Sequence, residues 1–306
     1  MRIAAGAVAY AASPIAAPTA APVPARRVQG ATEQEQLLID RMSASNTIKH
    51  IAELNKAPRV WKTDGYERGL EYVMSQLQEA GWDVHVEELQ SSGWMRGKLR
   101  NIVAERRGTA ADGERQLVVA GAHLDSVRGA PGANDNASGS STLIELARSF
   151  NGIDTRNDIR LVWFDGEEAG LLGSRAHVKE HRSDADRTIA MINMDMVGSQ
   201  FGKVAFDLGR RTGNAIADAL KGVALRTRLE VTQYDERHSR SDHASFDDYD
   251  IPALDFGVSV RAVNQQDPNY HSPRDTVDKI NSQVLEGNGD LIAVMLLDAA
   301  NRASRY

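Results

Sequence analysis

Apolar residues recur at helical spacing in one early stretch and gather into short continuous runs after it. Tyr66, Leu70, Val73, Met74 and Leu77 lie 3 or 4 apart. That spacing predicts a helix with one apolar face, opened by Asp64 and Glu67 as a capping box and closed at Gly81. The runs from Val84 to Leu89, Leu99 to Glu105, Leu117 to Ala122, Ile159 to Phe164, Ile189 to Asp195 and Ala253 to Phe256 read as strands. Between or after them, Ser141 to Phe150, Gly213 to Leu220 and Val284 to Ala300 read as helices. Several of the strands are apolar on both faces, which implies a sheet covered on both sides by helices. The fold class expected is therefore α/β, a three-layer sandwich.

The first thirty residues break this pattern. Between Ala4 and Ala25 half the residues are alanine, and Pro14, Pro18, Pro22 and Pro24 fall there too, so the segment has little to bury. Arg2, the small and apolar residues from Ile3 to Ala12, and Ala9-Tyr10-Ala11 resemble an export signal, with a disordered tail on a cytoplasmic protein as the alternative. Residues 1–31 are set apart on this ground, and 32–306 are expected to form a single catalytic domain, secreted or periplasmic, with no linker inside it.

Composition narrows the chemistry. The 306 residues carry 36 basic and 42 acidic side chains, a net charge of −6, which argues against a nucleic-acid partner. No apolar run reaches the ~20 residues of a membrane span. Cysteine is absent, so any metal must sit on His, Asp and Glu.

Polar residues of that kind stand where the strands end. Leu117 to Ala122 runs into His123-Leu124-Asp125, Ile159 to Phe164 into Asp165-Gly166-Glu167-Glu168, and Ile189 to Met194 into Asp195. Ligands of open α/β sheets bind beyond the carboxyl ends of strands. Each fragment alone reads as an ordinary loop; Asp135 in Gly132 to Gly139 could be a helix cap, and Tyr270-His271-Ser272-Pro273 a surface turn. Their joint order is the signal.

Those fragments, GAHLDS, GANDNASG, WFDGEEAGLLGS, INMDMVG, SDHASF and YHSPRDT, resemble the motif series of the co-catalytic di-zinc aminopeptidases of metallopeptidase clan MH, bacterial secreted leucyl-type enzymes included. The resemblance spans roughly residues 40 to 303. It implies a mixed, mainly parallel sheet of about eight strands between helices, and two zinc ions per chain. His123 and Asp195 would hold one ion, Glu168 and His271 the other, and Asp135 would bridge them. Glu167 would be the general base to a hydroxide shared by the metals, and the Tyr270 hydroxyl would support the oxyanion. Asp125 would meet the other ring nitrogen of His123, Arg240 would contact bound peptide, and Asp242 with His243 would brace the site. The implied activity is release of N-terminal residues from peptides or proteins with a free amine, by a monomer. The short span between Arg59 and Gln116 leaves no room for the inserted protease-associated domain of larger relatives.

Two features depart from the pattern: Asp250 stands where many members have glycine, and the stretch from Gly257 to Asn269, expected to line the specificity pocket, has no family pattern. The rival readings are a one-zinc glutaminyl-cyclase-like acyltransferase, disfavoured because Tyr270 replaces the tryptophan common there, and a non-catalytic binding relative without metals.

Overall fold

In the computed structural model, described for residues 28–91, 96–259, 263 and 267–306, eight strands form one sheet. They are β1 (Asp83–Gln90), β2 (Lys98–Arg106), β3 (Leu117–His123), β4 (Asp158–Phe164), β5 (Thr188–Asp195), β6 (Ala205–Gly209), β7 (Thr232–His238) and β8 (Ala253–Gly257), in the order β1-β2-β4-β3-β5-β8-β6-β7. The central block β4-β3-β5-β8 is parallel throughout, so four strands deliver their carboxyl ends to one edge. β1–β2, β2–β4 and β6–β8 are antiparallel, and the sheet is therefore mixed. Of the expected export segment, residues 1–31, residues 1–27 lie outside the described residues.

The side-chain alternation of each central strand assigns its two faces to different cores. Val118, Ala120 and Ala122 of β3, with Ile159, Leu161 and Trp163 of β4, join a large cluster with helices α1 (Glu33–Arg41), α2 (Ala44–Leu54), α3 (Asp64–Glu79), α4 (Gly139–Ser149), α6 (Ala215–Thr227) and α8 (Ser282–Asn301). Leu117, Val119, Val162 and Phe164 face the other way, onto Val178 of α5 (Leu172–Glu180) and Phe246 of α7 (His243–Asp247). Every residue of β3 is buried, which is why it reads as an unbroken apolar run.

Two local expectations change. The cap of α3 is Thr63, whose side chain makes no capping bond; Asp64 is the first helical residue and Glu67 pairs with Arg100 instead. A complete capping box exists at the start of α1, between Thr32 and Glu35. Asp250 adopts φ +59°, the left-handed conformation that glycine takes freely, so the turn keeps its shape with an aspartate in it.

Candidate metal centre

The parallel strands aim the chemistry. His123 ends β3, Asp195 ends β5, and Glu167 and Glu168 follow β4 after Gly166, whose φ of +67° lets the chain turn out of the strand. Asp135 enters from the loop ahead of α4, in a cis peptide with Asn136, and His271 from the loop ahead of α8, at φ +52°. These pieces meet as two groups that share one residue: His123, Asp135 and Asp195, and Asp135, Glu168 and His271.

Distances within each group are uniform. His123 Nε2 lies 3.3 Å from Asp135 Oδ1 and 3.4 Å from Asp195 Oδ1. On the other side of Asp135, His271 Nε2 is 3.1 Å from Asp135 Oδ2 and 3.1 Å from Glu168 Oε2. Donors bonded to zinc at about 2.0–2.2 Å in a tetrahedron stand ~3.3–3.5 Å apart, close to this spacing. Asp195 Oδ1 and Glu168 Oε1 are buried and receive no hydrogen bond. Buried carboxylate oxygens of that kind are costly unless a cation or donor meets them. Two imidazoles and three carboxylates, two of these with an orphaned oxygen, fit a pair of divalent ions of the zinc type. Glu167 stands outside both groups, its Oε2 4.0 Å from His123 Nε2.

Neighbouring groups fix these side chains. His123 Nδ1–H donates to the Asp125 backbone carbonyl at 3.1 Å, which leaves the Nε2 lone pair facing Asp135 and Asp195. The Asp125 carboxylate, expected at that ring nitrogen, is 3.6 Å from it and instead accepts the backbone N–H groups of Glu167 at 3.0 Å and Glu168 at 3.1 Å. Both glutamates are thereby held by one clamp. Asp275 does the same for the bridging residue, accepting from the N–H of Asn134 at 2.8 Å and of Asp135 at 3.0 Å. Beneath them the buried Arg59 donates to the carbonyls of Leu54, Leu124, Pro131 and Gly132. The sequence assigns no role to Arg59 or to Asp275, although Asp275 lies inside YHSPRDT, because the groups their side chains hold lie 65 to 141 residues away, Leu54 excepted. Burial above all, helped by the neighbouring Asp242, Asp195 and Glu168 and opposed by His123, pushes the Glu167 carboxyl well above its ordinary range, and Asp242 is itself buried. Burial pulls the His271 imidazolium down, but Asp135 and Glu168 outweigh it and raise it to about 10. The cluster thus holds more negative charge than its own protons comfortably balance.

A cleft opens above the centre. Its walls include Glu167, Glu168, Tyr270, Arg240, Met196 and Asp255. Arg240 is exposed at its rim, and the Tyr270 ring stacks on His271 with centroids 3.7 Å apart. Burial, then Asp135, drives the Tyr270 hydroxyl far above its usual value, so it stays protonated and can donate. Val258 and Val263 of the stretch without family pattern line the cleft; residues 260–262 and 264–266 lie outside the described residues.

Fold and site together define a peptidase of the metal-dependent α/β class, and the family is shown directly: residues 101–296 match the model of peptidase family M28, and the chain belongs to that family. It is similar to a probable leucine aminopeptidase of Arthroderma otae, 28% identical over 79% of this chain and 70% of the relative. It is also similar to the aminopeptidase YwaD of Bacillus subtilis, 32% identical over 62% of this chain, but it spans only 42% of that relative's length. Among solved structures it resembles a zinc aminopeptidase from Bacillus subtilis, with a TM-score of 0.75 at 18% identity, covering 85% of this chain and 96% of the other.

Proposed function

We propose that the protein is a zinc-dependent aminopeptidase with two ions per chain, hydrolysing the N-terminal peptide bond of peptides and protein N-termini that carry a free amine. The observation that carries this reading is the pair of His/carboxylate groups hinged on Asp135, with Glu167 beside them and outside both. His123 and Asp195 would hold one ion, Glu168 and His271 the other, and Asp135 both. When bound, the ions polarise the scissile carbonyl and lower the pKa of a water to roughly 7. Glu167 takes the proton of the attacking water as the C–O bond forms, then passes it to the amine nitrogen as the C–N bond breaks. The Tyr270 hydroxyl donates to the carbonyl oxygen as its negative charge develops. Asp125 keeps Glu167 and Glu168 in fixed relation through their backbone N–H groups. Arg240 is placed at the rim to meet the peptide beyond the scissile bond. The surplus of carboxylates favours a substrate that brings its own ammonium group, as a free N-terminus does.

The test compares a peptide with its N-acetylated twin, before and after a chelator. The free-amine peptide should be cleaved and the acetylated one ignored, with activity lost on chelation and regained with zinc. Equal turnover of both peptides, or full activity in metal-stripped protein, contradicts the proposal.

A further inference from the structure

Five carboxylates line the cleft: Asp135, Glu167, Glu168, Asp195 and Asp255. The first four belong to the metal groups or the proton-transfer position; Asp255 belongs to neither. It sits in β8, where it pairs in register with Asn193, while Asp195 of the metal centre pairs with Gly257. Asn193 and Asp195 point to the same face of β5, so Asp255 lies two residues deeper on that face, roughly 6–7 Å below the metal centre.

Its surroundings offer the carboxylate orientation but no positive charge. Asn193 Nδ2–H donates to Asp255 Oδ1 at 2.8 Å. His238 Nε2 is 3.3 Å and His243 Nδ1 3.7 Å from Oδ2. Burial above all lowers His238 to about 3 and His243 to about 4, and burial, then Asp195, raises the Asp255 carboxyl well above its ordinary range. Asp207 stands directly opposite Asp255 across the β6–β8 pair, which adds repulsion rather than relief. Among the described residues no lysine or arginine pairs with Asp255. A buried acid at the foot of a cleft, without a cation of its own, keeps its proton until a ligand brings a positive charge to it, and that ligand is favoured by the ion pair it forms.

We propose that Asp255 is the specificity-determining residue of the cleft, selecting substrates whose N-terminal side chain is lysine or arginine; this rests on the aminopeptidase reading above. The geometry suits such a side chain. With the scissile carbonyl at the metal centre, a lysine reaches ~6 Å from Cα to Nζ through five bonds, the depth at which Asp255 lies. Met196, Val258 and Val263 line the same cleft and supply apolar wall for the methylene stem. Norleucine would fill the walls and leave the carboxylate unanswered.

The experiment measures kcat/KM on aminoacyl-p-nitroanilides of lysine, arginine, norleucine and Nε-acetyl-lysine, for the wild type and Asp255→Asn, with metal content and thermal stability of both. The wild type should prefer lysine over norleucine and over acetyl-lysine by at least about 10-fold. In Asp255→Asn the lysine-to-norleucine ratio should fall by at least about 10-fold, towards equal use, with both ions retained. Equal use of lysine and norleucine by the wild type overturns the proposal and needs no variant, so it holds even if the variant does not fold. An equal loss on all four substrates in the variant also overturns it, pointing to the α-amine instead. So does a third metal ion lost with the variant, which would make His238, His243 and Asp255 a metal site. If no aminoacyl substrate is cleaved at all, the aminopeptidase reading falls first; cleavage of norleucine alone keeps that reading and rejects this one.

Discussion

Two of the clusters of histidine and carboxylate on this α/β frame stand in contrast, one at the carboxyl edge of the parallel strands and one between β1 and α5. In the second, Glu87, His177 and His181 are also close enough to gather round an ion. There, however, Glu87 Oε2 accepts from His177 Nδ1 at 2.8 Å and Asn101 Nδ2 at 2.9 Å, and Oε1 accepts from His181 Nε2 at 2.6 Å. Three donors spend the carboxylate's lone pairs directly. At the strand edge the equivalent spacings are 3.1 to 3.4 Å and two carboxylate oxygens have no donor. The same residue types therefore make a hydrogen-bonded brace in one place and a set of metal-ligand atoms in the other. Spacing and unmet oxygens separate the two, not composition.

The largest effect should come from the hinge of the two groups. Asp135→Ala removes the one residue common to both, so zinc content should fall towards zero and turnover by at least about 10³-fold. Metal analysis after dialysis checks this; retention of both ions would mean the groups do not depend on Asp135. At the brace the expected effect is on stability alone. Glu87→Gln should leave zinc content unchanged and cost ~1–3 kcal/mol in urea unfolding at pH 7, because it weakens hydrogen bonds to a charged acceptor. Burial raises the Glu87 pKa, but His177, His181 and Asn101 outweigh it and hold the folded value well below the usual range. The stabilisation is thus complete above the unfolded value of about 4.3 and is lost as pH falls below it towards the folded one. The gap between wild type and Glu87→Gln should narrow over that acid range. A gap independent of pH, or a loss of zinc in the variant, would erase the contrast between the clusters.

The strand edge was legible in the sequence because β3, β4 and β5 are buried on both faces and break abruptly into His123, Glu167-Glu168 and Asp195. β7, with Thr232, Gln233, Glu236, Arg237 and His238, carries no apolar run, because an edge strand can hold its ladder with polar side chains. β6 is five residues long with Asp207 in its middle, too short and too interrupted to register. Asp255 did leave a signal, a lone acid inside the apolar run from Ala253 to Phe256. Its meaning needed the register with Asn193 and the cleft above it. Asp125 shows the limit at finer scale. Its place beside His123 follows from a separation of two residues, but which of its oxygens meets the ring is set by the turn that also brings Glu167 and Glu168 over its carboxylate.

The central claim, that one of two adjacent glutamates holds metal while the other moves the proton, meets its most direct test in zinc stoichiometry measured beside turnover for Glu167→Gln and Glu168→Ala. Glu167→Gln should keep both ions and lose about 10²–10⁴-fold in kcat, with KM little changed. Glu168→Ala should lose one ion and recover part of its rate at high zinc. If Glu167→Gln sheds metal while Glu168→Ala keeps two ions, the two roles are reversed; if neither variant changes rate, catalysis happens elsewhere.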